Sequence, residues 1–347
     1  MGSIGRTRQA ARTPTMKEVA RLAGVSTATV SRALERPELV SEETRRKVAD
    51  AVASAGYKPN LLARNLRKME ARSIIVIVPD VSNPFFSEVI HGIETAAHRA
   101  GYSVLLGNTE NDPARERAYG ELIDDRRADG MILLNGRLPF RTRLAGAELP
   151  PLVMACEYLS DQDVPTVRID NIEGARRAVM HLLGLGHRRI GHVTGPMWNV
   201  LSRDRLQGYR DTLIDHGLPY AEALVQPGDF SIGSGAAAGH ALLSLPEPPT
   251  AIFAANDEMA MGVLRAARER GVAVPEALSL VGFDDIRFAA YVDPPLTTVA
   301  QPCRRIGEQA MAMLGALLSS EPPEERRVVL EAELVVRRST APAPAGR

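Results

Sequence analysis

The sequence is short of sulfur, of aromatic residues and of long apolar runs, and each shortage removes a class of protein. Two cysteines, Cys156 and Cys303, occur in 347 residues, far apart and without a CxxC spacing. Neither a disulfide framework nor a structural zinc site is indicated, and the usage points to a reducing, cytoplasmic setting. No apolar run approaches the roughly 20 residues that cross a bilayer. The basic opening MGSIGRTRQAAR is followed by no apolar core, so a secretory signal is not expected. The signatures HExxH, GxSxG and GxxxxGKS/T are missing, which leaves three common hydrolase and nucleotidase routes without their motif. GSGAAAG at 233–239 has one residue too many for a glycine-rich nucleotide loop and reads as a helix with small packing residues. His187 and His192 flank the start of a strand and share no helical face for a metal. Neither a metal nor a cofactor is expected.

What the chain does have is a charge asymmetry. Its formal net charge is zero, yet residues 1–72 hold 15 Lys/Arg against 7 Asp/Glu, leaving 27 against 35 for the remainder. A basic module that meets a polyanion, joined to an acidic module that does not, accounts for this split. The basic residues are interleaved with apolar helical positions and do not form a solvated block. A length of 347 residues predicts two or three compact units.

The basic segment reads as three short helices. Val19, Ala20, Leu22 and Ala23 line one face of the first, and Val30 with Leu34 line the second. Ser41 caps the third ahead of an acidic first turn, with Val48, Val52 and Ala55 recurring until Gly56 ends it. Gly24 falls where the chain must turn between helices one and two. A tight helix-turn-helix of this kind lays its second helix in the DNA major groove. VSTATVSRAL suits that position, because small residues at Ser26, Thr27, Ala28 and Thr29 permit close approach. Hydroxyls can bond phosphates or bases, methyls can touch thymine, and Arg32 is long enough to reach a guanine or a phosphate.

Here a resemblance becomes specific. TMKEVARLAGVSTATVSRAL, then VSEETRRKVADAVASAGYKPNLLARNLR, resembles the headpiece of the lactose/galactose repressor family. The resemblance implies a DNA-contacting set of Ser26, Thr27, Ala28, Thr29, Ser31 and Arg32. It also implies a hinge helix over 60–67 that folds on the operator, with Leu66 as a minor-groove wedge and Asn60, Arg64 and Asn65 beside it; an apolar wedge kinks a base step while basic neighbours hold the backbone. Alone, NLLARNLRK would pass for an amphipathic linker.

From Ser73 short apolar strands alternate with amphipathic helices, first SIIVIVPD to GMILLN and again RRIGHVTG to LSLVGFDD. Alternation predicts two α/β lobes with parallel sheets, and a ligand beyond the carboxyl ends of the strands. The loops there carry Asp80, Asn83, Phe85, Phe86, Asn108, Asn256, Asp257, Asp284 and Asp285. The expected class is therefore an all-α helix-turn-helix headpiece with a hinge helix, joined to a two-lobed α/β domain. The family resemblance covers nearly everything after residue 14 and makes that domain periplasmic-binding-protein-like. It implies an Asp284 and Arg205 clamp, a Phe230 ring platform, a hydrogen bond from Asn256, and Phe85 and Phe86 from the opposite lobe.

The expected divisions are a disordered arm 1–14, a DNA-binding domain 15–58, a hinge and linker 59–72, an effector-binding and dimerisation domain 73–338, and a disordered tail 339–347. Phrases such as VSTATVSRAL, GRLPF and DPPLTT look closest to cytidine-responsive members of the family, which implies a nucleoside effector; GPMWNVLS, with Trp198, departs from the family pattern. A sugar or a purine base stands as the alternative effector. A nucleoside- or sugar-processing enzyme is the alternative of another class, but would need an acid–base pair or metal set that the sequence lacks. A transport binding protein would share the two-lobed fold and would need no headpiece. The Pro/Ala-rich RRSTAPAPAGR has no leucine heptads, so a homodimer on a pseudo-palindromic operator is expected and a tetramer is not.

Overall fold

A computed structural model describes residues 14–57, 70–140, 149–160, 162–319, 323 and 325–344. The chain divides into two units, 1–70 and 71–347. The hinge expectation, with Asn60, Arg64, Asn65 and Leu66, lies outside the described residues, as do residues 1–13 and 345–347.

In the first unit, α1 (Met16–Ala23), α2 (Thr27–Glu35) and α3 (Glu42–Ala55) surround a small core of Val19, Ala20, Val30, Ala33, Val48, Ala51 and Tyr57. Two helix starts use one device, a serine three residues ahead of a threonine. The Ser26 hydroxyl accepts from the Thr29 N–H at 3.1 Å and pairs with the Thr29 hydroxyl at 2.9 Å. Ser41 and Thr44 repeat this at 3.4 and 2.9 Å. With so few carbons to bury, caps worth about 1 kcal/mol each matter to this unit. Gly24 and Gly56 end α1 and α3 in the left-handed region, at φ 67° and 62°. Leu22 and Leu34 are corrections to the expected core, being 47% and 36% exposed. Helices this short close around valines and alanines, and Ala33 and Ala51 fill the positions that longer side chains would overfill.

The second unit holds two six-stranded sheets. The first lobe has β1 (Ser73–Val78), β2 (Ser103–Asn108), β3 (Gly130–Leu133), β4 (Leu152–Ala155), β5 (Thr166–Ile169) and β11 (Arg327–Leu330) in the order β11-β5-β4-β3-β1-β2, all parallel. The second has β6 (Ile190–Thr194), β7 (Val225–Pro227), β8 (Ala251–Ala254), β9 (Ser279–Asp284), β10 (Thr297–Ala300) and β12 (Glu333–Val335) in the order β12-β10-β9-β8-β6-β7, with only β12 antiparallel. Helices α4 (Pro84–Arg99), α5 (Pro113–Asp124) and α10 (Cys303–Leu318) cover the first sheet. The second is covered by α6 (Asn171–Gly184), α7 (Val200–Asp215), α8 (Ile232–Leu243) and α9 (Asp257–Glu269). The glycine-rich 233–239 stretch is thus part of a helix, α8. The chain passes between lobes three times: after β5, between β10 and α10, and between β11 and β12.

The tail expected to be disordered is docked over residues 339–344, and this is a second correction. Ser339 is fully buried; its hydroxyl donates to the Leu280 carbonyl and accepts from the Thr297 N–H at 2.8 Å. Ala341 N–H donates to Ser279, and its carbonyl meets the His187 ring at 3.0 Å. Proline and alanine deny this strap a regular structure of its own, so its polar groups pair with the second sheet instead.

Helices α4 and α10 touch backbone to backbone. A Cβ at Gly307 would overlap the Val89 carbonyl oxygen, and one at Gly92 would overlap the Arg304 carbonyl oxygen. Gly307→Ala should therefore cost about 1–3 kcal/mol by overpacking, where an exposed helical site would gain about 1 kcal/mol. Urea unfolding of the full chain measures this, and a gain in stability would contradict so close an approach.

Candidate functional site

The surface of α2 follows from which of its residues the core takes. Val30 and Ala33 point inward, which leaves Thr27, Ala28 and Arg32 exposed and Ser31 half-buried. Positions 27 and 31, and 28 and 32, are one turn apart and form a single strip. Ser26 and Thr29 sit at its start, with their hydroxyls engaged in the cap. The strip is narrow, carries three small residues, Thr27, Ala28 and Ser31, and ends in one long cation, Arg32.

In the second unit a cavity of about 480 Å³ lies between the lobes, at the carboxyl ends of both sheets. Phe85, Phe86, Arg205, Phe230, Asn256 and Asp284 all line it. Arg205, on α7, is 2% exposed and forms its floor. Its Nε donates to Asn171 Oδ1 at 3.0 Å, its Nη1 to the Ala255 carbonyl, and its Nη2 lies 3.6 Å from Asp284 Oδ1. The guanidinium is also 3.8 Å from the centre of the Phe283 ring. Burial lowers its pKa, against the pull of Asp284 and Asp204. Asp284, at the end of β9, is pushed up to about 6 by burial, with Arg205 and a 2.7 Å hydrogen bond from Gln301 opposing. Among the described residues its Oδ2 has no hydrogen-bond partner, so it can still accept.

Backbone strain collects at the same place. Phe230 (φ 72°), Cys156 (φ 72°), Asp284 (φ 108°) and the adjoining Asp285 (φ 53°) are non-glycine residues at positive φ. Asn256 explains how one of these is held: its Oδ1 caps α9 through the Met259 N–H, and its Nδ2 donates to the Phe230 carbonyl at 3.0 Å. Asn256 therefore ties the start of α9 to the Phe230 backbone. On the other lobe Asn83 caps α4 through the Phe85 N–H, fixing Phe85 and Phe86 edge to face at 5.2 Å.

Three loop residues singled out in the sequence do not line the cavity. Asn108 accepts from the Val81 N–H; Asp257, fully buried, accepts from Ile286 N–H and the Thr298 hydroxyl; Asp285 pairs with Arg337 at 2.7 Å. All three shape loops. Conversely, Glu157, Trp198, Asn199 and Glu258 line the cavity without having been expected there. Only Trp198 had left a trace, as the departure in GPMWNVLS. Glu157 follows β4, a strand too short and too near a proline pair to stand out.

The descriptions of known families match this architecture. Residues 15–60 match the bacterial regulatory proteins of the lacI family, and residues 179–340 match the periplasmic binding protein-like domain. The chain is 44% identical over 331 residues to the HTH-type transcriptional repressor CytR of Escherichia coli (strain K12), covering 95% of this chain and 97% of that one. It is 35% identical to the HTH-type transcriptional regulator DegA of Bacillus subtilis (strain 168), across 94% and 98% of the two chains. Among solved structures, the lac repressor dimer bound to operator and the anti-inducer ONPF superposes with a TM-score of 0.83 at 28% identity, over 94% of this chain and 99% of the other. A complex of the transcriptional regulator CelR with cellobiose does so with a TM-score of 0.72 at 34% identity, over 94% and 99%. These relatives are regulators and not enzymes, and the chain belongs to the lacI family of bacterial regulatory proteins, as a DNA-binding transcriptional repressor.

Proposed function

We propose that this repressor acts as a homodimer on a pseudo-palindromic operator, with α2 of each headpiece in a major groove and operator affinity set by a nucleoside, cytidine favoured, in the interlobe cavity. The observation that carries the reading is the buried Arg205–Asp284 pair beneath a cavity walled by Phe86, Phe230 and Trp198. A ribose offers adjacent hydroxyls to a carboxylate acceptor and a guanidinium donor, and a flat base offers a face to aromatic rings. The sequence resemblance to cytidine-responsive members supports the choice of ligand. A sugar is the second reading, favoured by the cellobiose complex of one relative, since the same pair serves a sugar's hydroxyls.

An edge strand supports the dimer. β2 ends the first sheet and leaves Leu105 and Leu106 at 39% and 48% exposure. An apolar edge of this kind invites a second copy of the chain. Two-fold symmetry would then set two α2 helices on two half-sites.

Arg32→Ala tests the DNA-facing strip. It should cost about 1–3 kcal/mol of specific affinity and relax base preference at one symmetric operator position, as read by binding to an operator library at fixed salt. Unchanged affinity and preference would remove α2 from the groove.

Asp284→Asn tests the effector site, because asparagine keeps the side chain's shape while removing its charge. Thermal-shift screening with cytidine, purine bases and cellobiose identifies the best ligand. The variant should bind it about tenfold or more weakly, in line with the ~1.5–3 kcal/mol of a charge-assisted hydrogen bond, and should bind operator without ligand as wild type does. A ligand response equal to wild type would misplace the site; loss of operator binding outright would make Asp284 structural.

A further inference from the structure

The loop between β6 and α7 sends two consecutive side chains across the cleft. Trp198 lies under the Arg137 guanidinium, 4.4 Å from ring centre to cation, and Asn199 Nδ2 donates to Glu157 Oε1 at 2.9 Å. Arg137 and Glu157 follow β3 and β4 of the first lobe; Trp198 and Asn199 belong to the second. Glu157 and Asn199 are 4% and 6% exposed with the lobes in this arrangement, and their hydrogen bond runs from one lobe to the other. The carboxylate is also pressed on the backbone behind it, since a Cβ at Gly136 would sit 2.6 Å from Glu157 Oε2. A smaller cavity of about 100 Å³, with Arg137, Tyr158 and Arg203 in its wall, borders the same contact.

We propose that Glu157 is a positioning residue for lobe closure: with Asn199, Arg137 and Trp198 it forms a latch that holds the lobes over the cavity when its carboxyl is neutral and lets them part when it is ionised. The charged and polar groups facing it are Asn199 and Arg205 from α7, Arg137 and the Gly136 N–H from the segment after β3, and the neighbouring Cys156. The two N–H donors and the two arginines favour the anion. Burial outweighs them and lifts the carboxyl to about 7 from an ordinary 4.5. A neutral carboxyl keeps its carbonyl oxygen as the acceptor for Asn199 while relieving the cost of a buried charge.

The sign follows. Parted lobes return Glu157 to water and to its ordinary value, so closure takes up a proton. Closure strengthens as pH falls through about 7 and weakens above it. For one such group the closure equilibrium changes about tenfold between about pH 8 and about pH 6. Other carboxyls at the cleft, Asp284, Asp204 and Glu258, are shifted upward as well, so a variant of Glu157 alone is needed to separate it from them.

Trp198 is the single tryptophan of the chain and reports its own environment. Emission of the ligand-free full-length protein, excited where tyrosine does not absorb, is followed from about pH 5 to about pH 9. Wild type should show one transition with a midpoint near 7. Glu157→Gln, permanently neutral, should hold the acid-side emission throughout. Asn199→Asp keeps the helix-capping oxygen but sets a second carboxylate against Glu157, and should move the midpoint upward. It decides the matter should the glutamine variant not fold. A flat wild-type profile, an unchanged transition in Glu157→Gln, or an unmoved midpoint in Asn199→Asp would overturn the latch. No effector enters this experiment, so a wrong ligand assignment leaves its outcome intact.

Discussion

A guanidinium without access to water has to be satisfied by the protein around it, and the arrangement that does this for Arg205 organises the second unit. Its four partners come from three places in the chain: Asn171 at the start of α6, the Ala255 carbonyl after β8, and Phe283 with Asp284 at the end of β9. Removing one partner from a buried ion pair typically costs about 3–5 kcal/mol, so these three elements are held to a common geometry. Asp284 meets Arg205 from a strained backbone, with φ at 108°. Arg205 and Asp284 also line the floor of the cavity proposed for the effector.

Above that floor the lobes meet through a few polar contacts. Asn83 reaches Glu258 at 3.3 Å, the Tyr158 hydroxyl reaches Asp204 at 3.1 Å, and Asn199 reaches Glu157 at 2.9 Å. Three passages of the chain connect the lobes, and Arg177 of α6 ties the one between β11 and β12 by bonding the Ala332 carbonyl and Glu331. Covalent connection at a narrow waist with sparse contacts at the mouth is the geometry of hinge closure, in which a ligand acts through its different affinity for two lobe arrangements.

Local signals in the sequence carried much of the headpiece: the Ser41 cap and acidic first turn lie where α3 begins, and Gly24 and Gly56 lie where α1 and α3 end. They failed where geometry depends on neighbours. Leu22 and Leu34 have core-like spacing, yet helices of eight and nine residues pack through alanine, and the leucines face outward. β1, β6, β8 and β9 stood out because they are central strands, buried almost throughout and mainly apolar. β4, β5, β7 and β10 to β12 are three or four residues long and take their pairing from distant chain, which no window of sequence reveals. Family resemblance named Arg205 and Asp284 together; composition alone gave no reason to pair residues 79 positions apart. It did not name Glu157, whose importance comes from an interlobe hydrogen bond. Nor could a Pro/Ala-rich terminus announce that Ser339 would be fully buried.

The central claim is that the cavity and the operator-binding surface are two sites of one equilibrium, and linkage makes that claim reciprocal. The direct measurement is the affinity for cytidine of the full-length protein, free and saturated with operator DNA at fixed salt and pH. The account predicts two different affinities, whose ratio equals the factor by which saturating cytidine changes operator affinity. Equal cytidine affinities with and without operator would contradict it.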